Sequence, residues 1–71
     1  MLCEYEYLTK DGREFGAYQC EDADFKAFWR SRARTNIKAC KLIKANGEIW
    51  IWCAPQPFKT KYNGWQRITP L

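Results

Sequence analysis

Residues 37–54 read Ile37-Lys38-Ala39-Cys40-Lys41-Leu42-Ile43-Lys44-Ala45-Asn46-Gly47-Glu48-Ile49-Trp50-Ile51-Trp52-Cys53-Ala54. Two apolar, β-branched and aromatic runs flank Asn46-Gly47, the dipeptide that most readily takes the positive φ angles of a tight hairpin turn. With Asn46-Gly47 as a two-residue turn, Lys44 pairs with Ile49, Ile43 with Trp50, Leu42 with Ile51, Lys41 with Trp52 and Cys40 with Cys53. One face then holds Cys40, Leu42, Ile49, Ile51 and Cys53, apolar enough to be core, with Lys44 at its turn end. Ile37, Lys41, Ile43, Trp50 and Trp52 occupy the other.

A second hairpin precedes it. Residues 2–9 and 14–20 flank Lys10-Asp11-Gly12-Arg13, and a turn at Asp11-Gly12 sets Leu8 against Phe15, Tyr7 against Gly16, Tyr5 against Tyr18 and Cys3 against Cys20. Cys3, Tyr5, Tyr7, Tyr18 and Cys20 share the face expected to be core. Between the hairpins, Asp22 to about Thr35 reads as a helix with Asp22 as N-cap and Asp24 in the first turn. Phe25, Phe28, Trp29 and Ala33 form its apolar stripe, and Lys26, Arg30 and Arg34 recur every four residues on another face. The expected fold is therefore α+β: a ββαββ antiparallel sheet with one helix packed across it. Residues 1–54 make the domain. Residues 55–71 form a tail containing Pro55 and Pro57, with a weaker third hairpin signal at Asn63-Gly64 pairing Tyr62 with Trp65.

The 71 residues allow one small domain, and 46% hydrophobic with 17% aromatic residues is rich enough to fold despite a mean hydropathy of −0.62. No apolar run is long enough to span a membrane, and Met-Leu-Cys-Glu-Tyr-Glu shows no secretory signal, so a cytoplasmic setting is expected. Histidine is absent. Ser31 is the sole serine, no glycine-rich phosphate loop occurs, and the carboxylates show no converging pair, so enzymatic activity is not expected.

The net charge of +4 is unevenly spread. Residues 1–24 carry seven acids (Glu4, Glu6, Asp11, Glu14, Glu21, Asp22, Asp24) against Lys10 and Arg13. Residues 25–47 carry seven bases and no acid: Lys26, Arg30, Arg32, Arg34, Lys38, Lys41 and Lys44. Complementing a helix dipole explains Asp22, Asp24, Arg32 and Arg34 but not the later lysines. The candidate binding surface is Lys26, Arg30, Arg34, Lys38, Lys41, Trp50, Trp52, Lys59 and Lys61. Stacking aromatics beside cations suit single-stranded nucleic acid, and the same residue types serve a protein interface. Alternatively, Phe58, Tyr62, Trp65 and Ile68 fold back over Trp50 and Trp52 as a second small core.

Cys3, Cys20, Cys40 and Cys53 lack the close spacing of a zinc knuckle. They read first as small buried hydrophobes in a reducing compartment. Next come disulfides, because both hairpins set their cysteines opposite one another at non-hydrogen-bonded positions, with Cα atoms ~4.5 Å apart. Last is a metal site built from all four, which would make the chain a small scaffold subunit; no metal or cofactor is expected.

Together, the tyrosine-rich opening strand, the acid-started helix ending in bases and Asn46-Gly47-Glu48-Ile49-Trp50 leading into an aromatic strand resemble small type I-F anti-CRISPR proteins. The likeness covers residues 2–54 as a pattern of elements. It implies a non-catalytic phage or mobile-element inhibitor docking on a host RNA-guided nucleoprotein complex, with Lys26, Arg30, Arg34, Lys38 and Lys41 where target DNA runs. The runner-up is direct binding of DNA or RNA. Both readings expect a monomer, or a homodimer paired through an exposed sheet edge.

Overall fold

A computed structural model describes residues 2–31, 35–54 and 64–68. The elements run β1 (Leu2–Thr9), β2 (Glu14–Glu21), α1 (Asp22–Arg30), β3 (Ile37–Ile43), β4 (Ile49–Cys53) and β5 (Gln66–Arg67). They form one antiparallel sheet in the order β2-β1-β3-β4-β5 with α1 against one face, which is the expected ββαββ arrangement plus a short fifth strand. Because β2 and β3 both run antiparallel to β1, they are parallel to each other. Such a connection needs a crossover, and α1 supplies it by carrying the chain over β1.

Both hairpins turn differently from the two-residue expectation. Lys44 N–H donates to the Glu48 carbonyl at 2.8 Å and Gly47 N–H to the Lys44 carbonyl at 2.9 Å. This is a three-residue loop, Ala45-Asn46-Gly47, with Gly47 at φ +92°. Thr9 and Arg13 close the first hairpin in the same way, with bonds of 2.8 and 3.0 Å and Gly12 at φ +90°. In both loops glycine occupies the last position, where a side chain would be strained.

The extra loop residue shifts each register by one, and the two hairpins absorb the shift differently. In the first, Leu8 faces Glu14 and Tyr7 faces Phe15, not the expected Phe15 and Gly16. A bulge follows: Gly16 and Ala17 lie between Phe15 and Tyr18, where β1 has only Glu6. Beyond it Tyr5 faces Tyr18 and Cys3 faces Cys20, as expected. The second hairpin has no bulge, so the shift persists along its length. Ile43 faces Ile49, Leu42 faces Trp50, Lys41 faces Ile51, Cys40 faces Trp52 and Ala39 faces Cys53.

One residue of slip exchanges the two faces of β4. Trp50 and Trp52 therefore join Cys40 and Leu42 on the helix side, and Ile49, Ile51 and Cys53 turn away from it. The buried core is Cys3, Phe25, Ile37, Cys40, Leu42 and Trp52, edged by Tyr5, Tyr7, Phe28, Trp29, Trp50 and Trp65. Phe25 and Phe28 pack on Tyr5 with centroids 5.1 and 5.0 Å apart, and Trp29 meets Trp52 edge-on at 4.8 Å. Of the expected tyrosine face of the first hairpin, Cys3, Tyr5, Tyr7 and Cys20 join the core or pack against it, whereas Tyr18 is 43% exposed.

The helix departs from expectation at both ends. Glu21, not Asp22, is the N-cap and makes no side-chain capping bond; Asp22 and Asp24 lie in the first turn. The helix closes at Arg30, where Ser31 N–H and Oγ both donate to the Phe28 carbonyl, rather than continuing to Thr35. Ala33 and the expected Asn63-Gly64 hairpin partner Tyr62 fall outside the described residues. Gly64 has φ +66°, and β5 pairs with β4.

Gly16, at φ +146°, has no room for a side chain: a Cβ there would lie 2.8 Å from Glu6 Cα and closer still to its Cβ. Gly16→Ala is expected to destabilise by roughly 2–4 kcal/mol through backbone strain and overpacking, measured by urea denaturation. Gly12→Ala meets open space and incurs only the strain of its positive φ.

Burial pushes the Cys40 thiol from its ordinary 9.0 up to about 12, with Glu6 adding to the effect. Burial, then the hydrogen bond and charge of Cys3, push Cys20 up to about 11. The folded state thus favours the protonated thiols. Their contribution is complete below pH 9 and is lost as pH climbs through the folded values. Denaturation at pH 10.5 should show stability lower than at pH 8 by about 2 kcal/mol from Cys40, given ~1.4 kcal/mol per pH unit.

Candidate nucleic-acid interface

With Trp50 turned toward α1, a groove of about 310 Å³ opens between the helix and the turn end of β3–β4. Lys26 and Arg30 stand on its helical side, one turn apart, because a four-residue spacing keeps them on one face. Lys44 stands on the opposite side, held there by the hairpin bonds of its own backbone. Trp29, Trp50 and Trp65 supply aromatic surface between them. All three tryptophans are half-buried, which leaves ring area accessible.

The groove is organised by a small polar cluster. Trp50 Nε1–H donates to Glu48 Oε1 at 3.2 Å, and Glu48 Oε2 takes the Arg67 guanidinium at 3.1 Å. Glu48 N–H in turn donates to Asn46 Oδ1 at 3.0 Å, tying the cluster to the turn. Lys44 Nζ lies 5.3 Å from the Trp50 ring centre, a cation–π contact that places the ammonium beside the aromatic surface. Lys26 pairs with Asp22 at 3.2 Å, but both side chains are more than half exposed, so this pair is weak and readily exchanged. Among the described residues Arg30 has no ion-pair partner. Three bases against Asp22 leave the groove positive.

The structure divides the residues that the sequence nominated. Lys26, Arg30 and Trp50 meet in the groove. Trp52 does not: only 7% exposed, it is a core residue under Trp29, the consequence of the three-residue turn. Lys41 is on the face away from the helix, in a depression of about 530 Å³ with Glu6, Glu14 and Ile51. Lys38 is exposed at the other end of β3, where its carbonyl accepts Ala54 N–H at 2.8 Å. Arg34, Lys59 and Lys61 lie outside the described residues.

Sequence reasoning missed Lys44, Trp29 and Trp65 as groove residues. Lys44 is on the strand face of Leu42 in either register, but only the observed one brings Trp50 onto that face beside it. Trp29 and Trp65 each serve the core and the groove at once, with rings 4.9 Å apart, and a helical stripe reports only the first role.

The cysteines do not gather. Cys40 lies on the helix face and Cys53 on the other, so the expected second pair is broken by the same register shift. Among the described residues no group of three or more cysteines and acids is placed to hold a metal ion, which removes the geometry that a four-cysteine scaffold requires. No described helix is long and apolar enough to cross a membrane. No protein-family model, curated protein or solved structure matches this chain.

The hydrogen bond from Trp50, followed by those from Asn46 and Arg67, holds the Glu48 carboxyl below its ordinary 4.5. A depressed carboxyl supports the fold above its unfolded pKa and ceases to do so as pH falls through the folded value. Carboxyl-carbon NMR should therefore show Glu48 titrating below its ordinary 4.5. The Trp50 indole N–H resonance should move with it, and Glu48→Gln should abolish that coupled shift.

Proposed function

We propose that the chain is a non-enzymatic, cytoplasmic binding module whose basic, tryptophan-lined groove takes single-stranded nucleic acid. The observation that carries this reading is the convergence of Lys26, Arg30 and Lys44 around Trp50. Cations on both sides of the groove can track phosphates while an indole face receives a base. The dimensions suit one or two nucleotides rather than a duplex. Stacking is indifferent to sequence, so the expected ligand is short single-stranded DNA or RNA with little base preference.

A second reading places the same groove on a host RNA-guided nucleoprotein, with the chain acting as a phage or mobile-element inhibitor. The anti-CRISPR-like pattern of residues 2–54 favours it. So does the sheet face away from α1, where half-buried Ile43, Ile49 and Ile51 offer an apolar surface to a protein partner.

Fluorescence anisotropy with labelled oligonucleotides tests the first reading. Binding should weaken with salt at a log–log slope of roughly −0.7 per phosphate contacted. Arg30→Glu with Lys44→Glu should weaken it at least tenfold with unchanged thermal stability, and Trp50→Ala by about 5-fold to 100-fold, as expected for one stacked base. Lys38→Glu and Lys41→Glu, both away from the groove, should leave it intact. Equal loss from all four charge reversals would indicate net charge alone and sink the groove reading. Binding to an RNA-guided complex without binding to free oligonucleotides would establish the second.

A further inference from the structure

Cys3 and Cys20 face each other across the first hairpin, 17 residues apart in sequence. Their sulfurs are 3.9 Å apart, and Cys3 Sγ–H donates to the Cys20 carbonyl at 3.2 Å. Cys3 is 1% exposed, whereas Cys20 is half-buried and reachable from solvent. The chain enters α1 two residues after Cys20, so this pair sits where the sheet hands over to the helix that carries Lys26 and Arg30.

We infer that Cys3 and Cys20 are a redox-modification site, reduced as described here and closed to an intramolecular disulfide by a low-molecular-weight disulfide such as oxidised glutathione. Directly opposed strand positions place both sulfurs within a small side-chain rotation of bonding distance. The unequal burial assigns the order of events. Its raised pKa keeps the Cys20 thiol mostly protonated at neutral pH, and the fraction that loses its proton to solvent is the more nucleophilic for it and attacks oxidised glutathione. The glutathione S–S bond breaks, one glutathione leaves, and Cys20 carries the other. The Cys3 sulfur, deprotonated in turn, attacks Cys20 Sγ and expels the second glutathione. Two electrons and two protons pass from the cysteine pair to the glutathione disulfide. Cys40 and Cys53, on opposite faces, have no such geometry.

The bridge would tie the N-terminal end of β1 to the C-terminal end of β2 just before α1, closing a loop around the hairpin. In the chain-entropy account such a cross-link stabilises by constraining the unfolded chain. This inference is independent of what the groove binds.

The test treats the full chain carrying Cys53→Ser, which removes the exposed thiol capable of joining two molecules, with oxidised glutathione under native conditions. Peptide mapping should recover Cys3 linked to Cys20, with an intact mass lower by two hydrogens. The oxidised protein should melt about 5 °C or more above the reduced form, and dithiothreitol should reverse both changes. In the Cys3→Ala background the reaction should stop at Cys20 bearing one glutathione. A stable glutathione adduct on Cys20 with Cys3 present, a link involving Cys40, or a bridged protein melting no higher than the reduced one would each overturn the inference.

Discussion

The hydrogen bonds that join Lys44 to Glu48 and Gly47 to Lys44 fix three residues in the loop between β3 and β4, and the rest of the structure depends on that count. Side chains alternate along a strand, so one loop residue decides which face every residue of β4 occupies. With three, Trp52 enters the core beneath Trp29, and Trp50 and Lys44 stand at the edge of α1. With two, the same sequence would bury Ile49 and Ile51 and leave both tryptophans on the far side from the helical bases.

A small chain has few residues to spend on a core, and here the aromatic groups serve two ends. Trp29, Trp50 and Trp65 each bury part of a ring against the core and leave part in the groove. Glu48 links this packing to charge by holding the Trp50 indole and Arg67 at once. Stability and binding surface are therefore made from the same rings, and the acids of the first 24 residues lie chiefly on the two N-terminal strands, their turn and the helix start.

Much of this was legible in the sequence because short-range physics sets it. The periodicity of Phe25, Phe28 and Trp29, the glycine turns and the alternation in residues 2–9 lead to the ββαββ order and to the Cys3–Cys20 pairing. The turn length was not legible: Asn-Gly and Asp-Gly suit both a two-residue turn and the last two positions of a three-residue loop. In the first hairpin the bulge at Gly16 restores the expected register, so the error disappears. In the second nothing restores it, and the faces of β4 exchange. The candidate site suffered accordingly, keeping Lys26, Arg30 and Trp50, losing Trp52 and Lys41, and omitting Lys44.

The nucleic-acid reading of the groove requires that ligand meets the helix side of the sheet. Backbone and indole ¹H–¹⁵N NMR of the labelled protein, titrated with a short oligothymidylate, examines this most directly. The account predicts that the Trp50 indole signal shifts together with the amides of Lys26, Arg30 and Lys44, and that Ile49, Ile51 and Cys53 stay in place. Shifts centred on Lys41, Ile49 and Ile51 would contradict it, because they would place the ligand on the face that the three-residue turn assigns away from the bases.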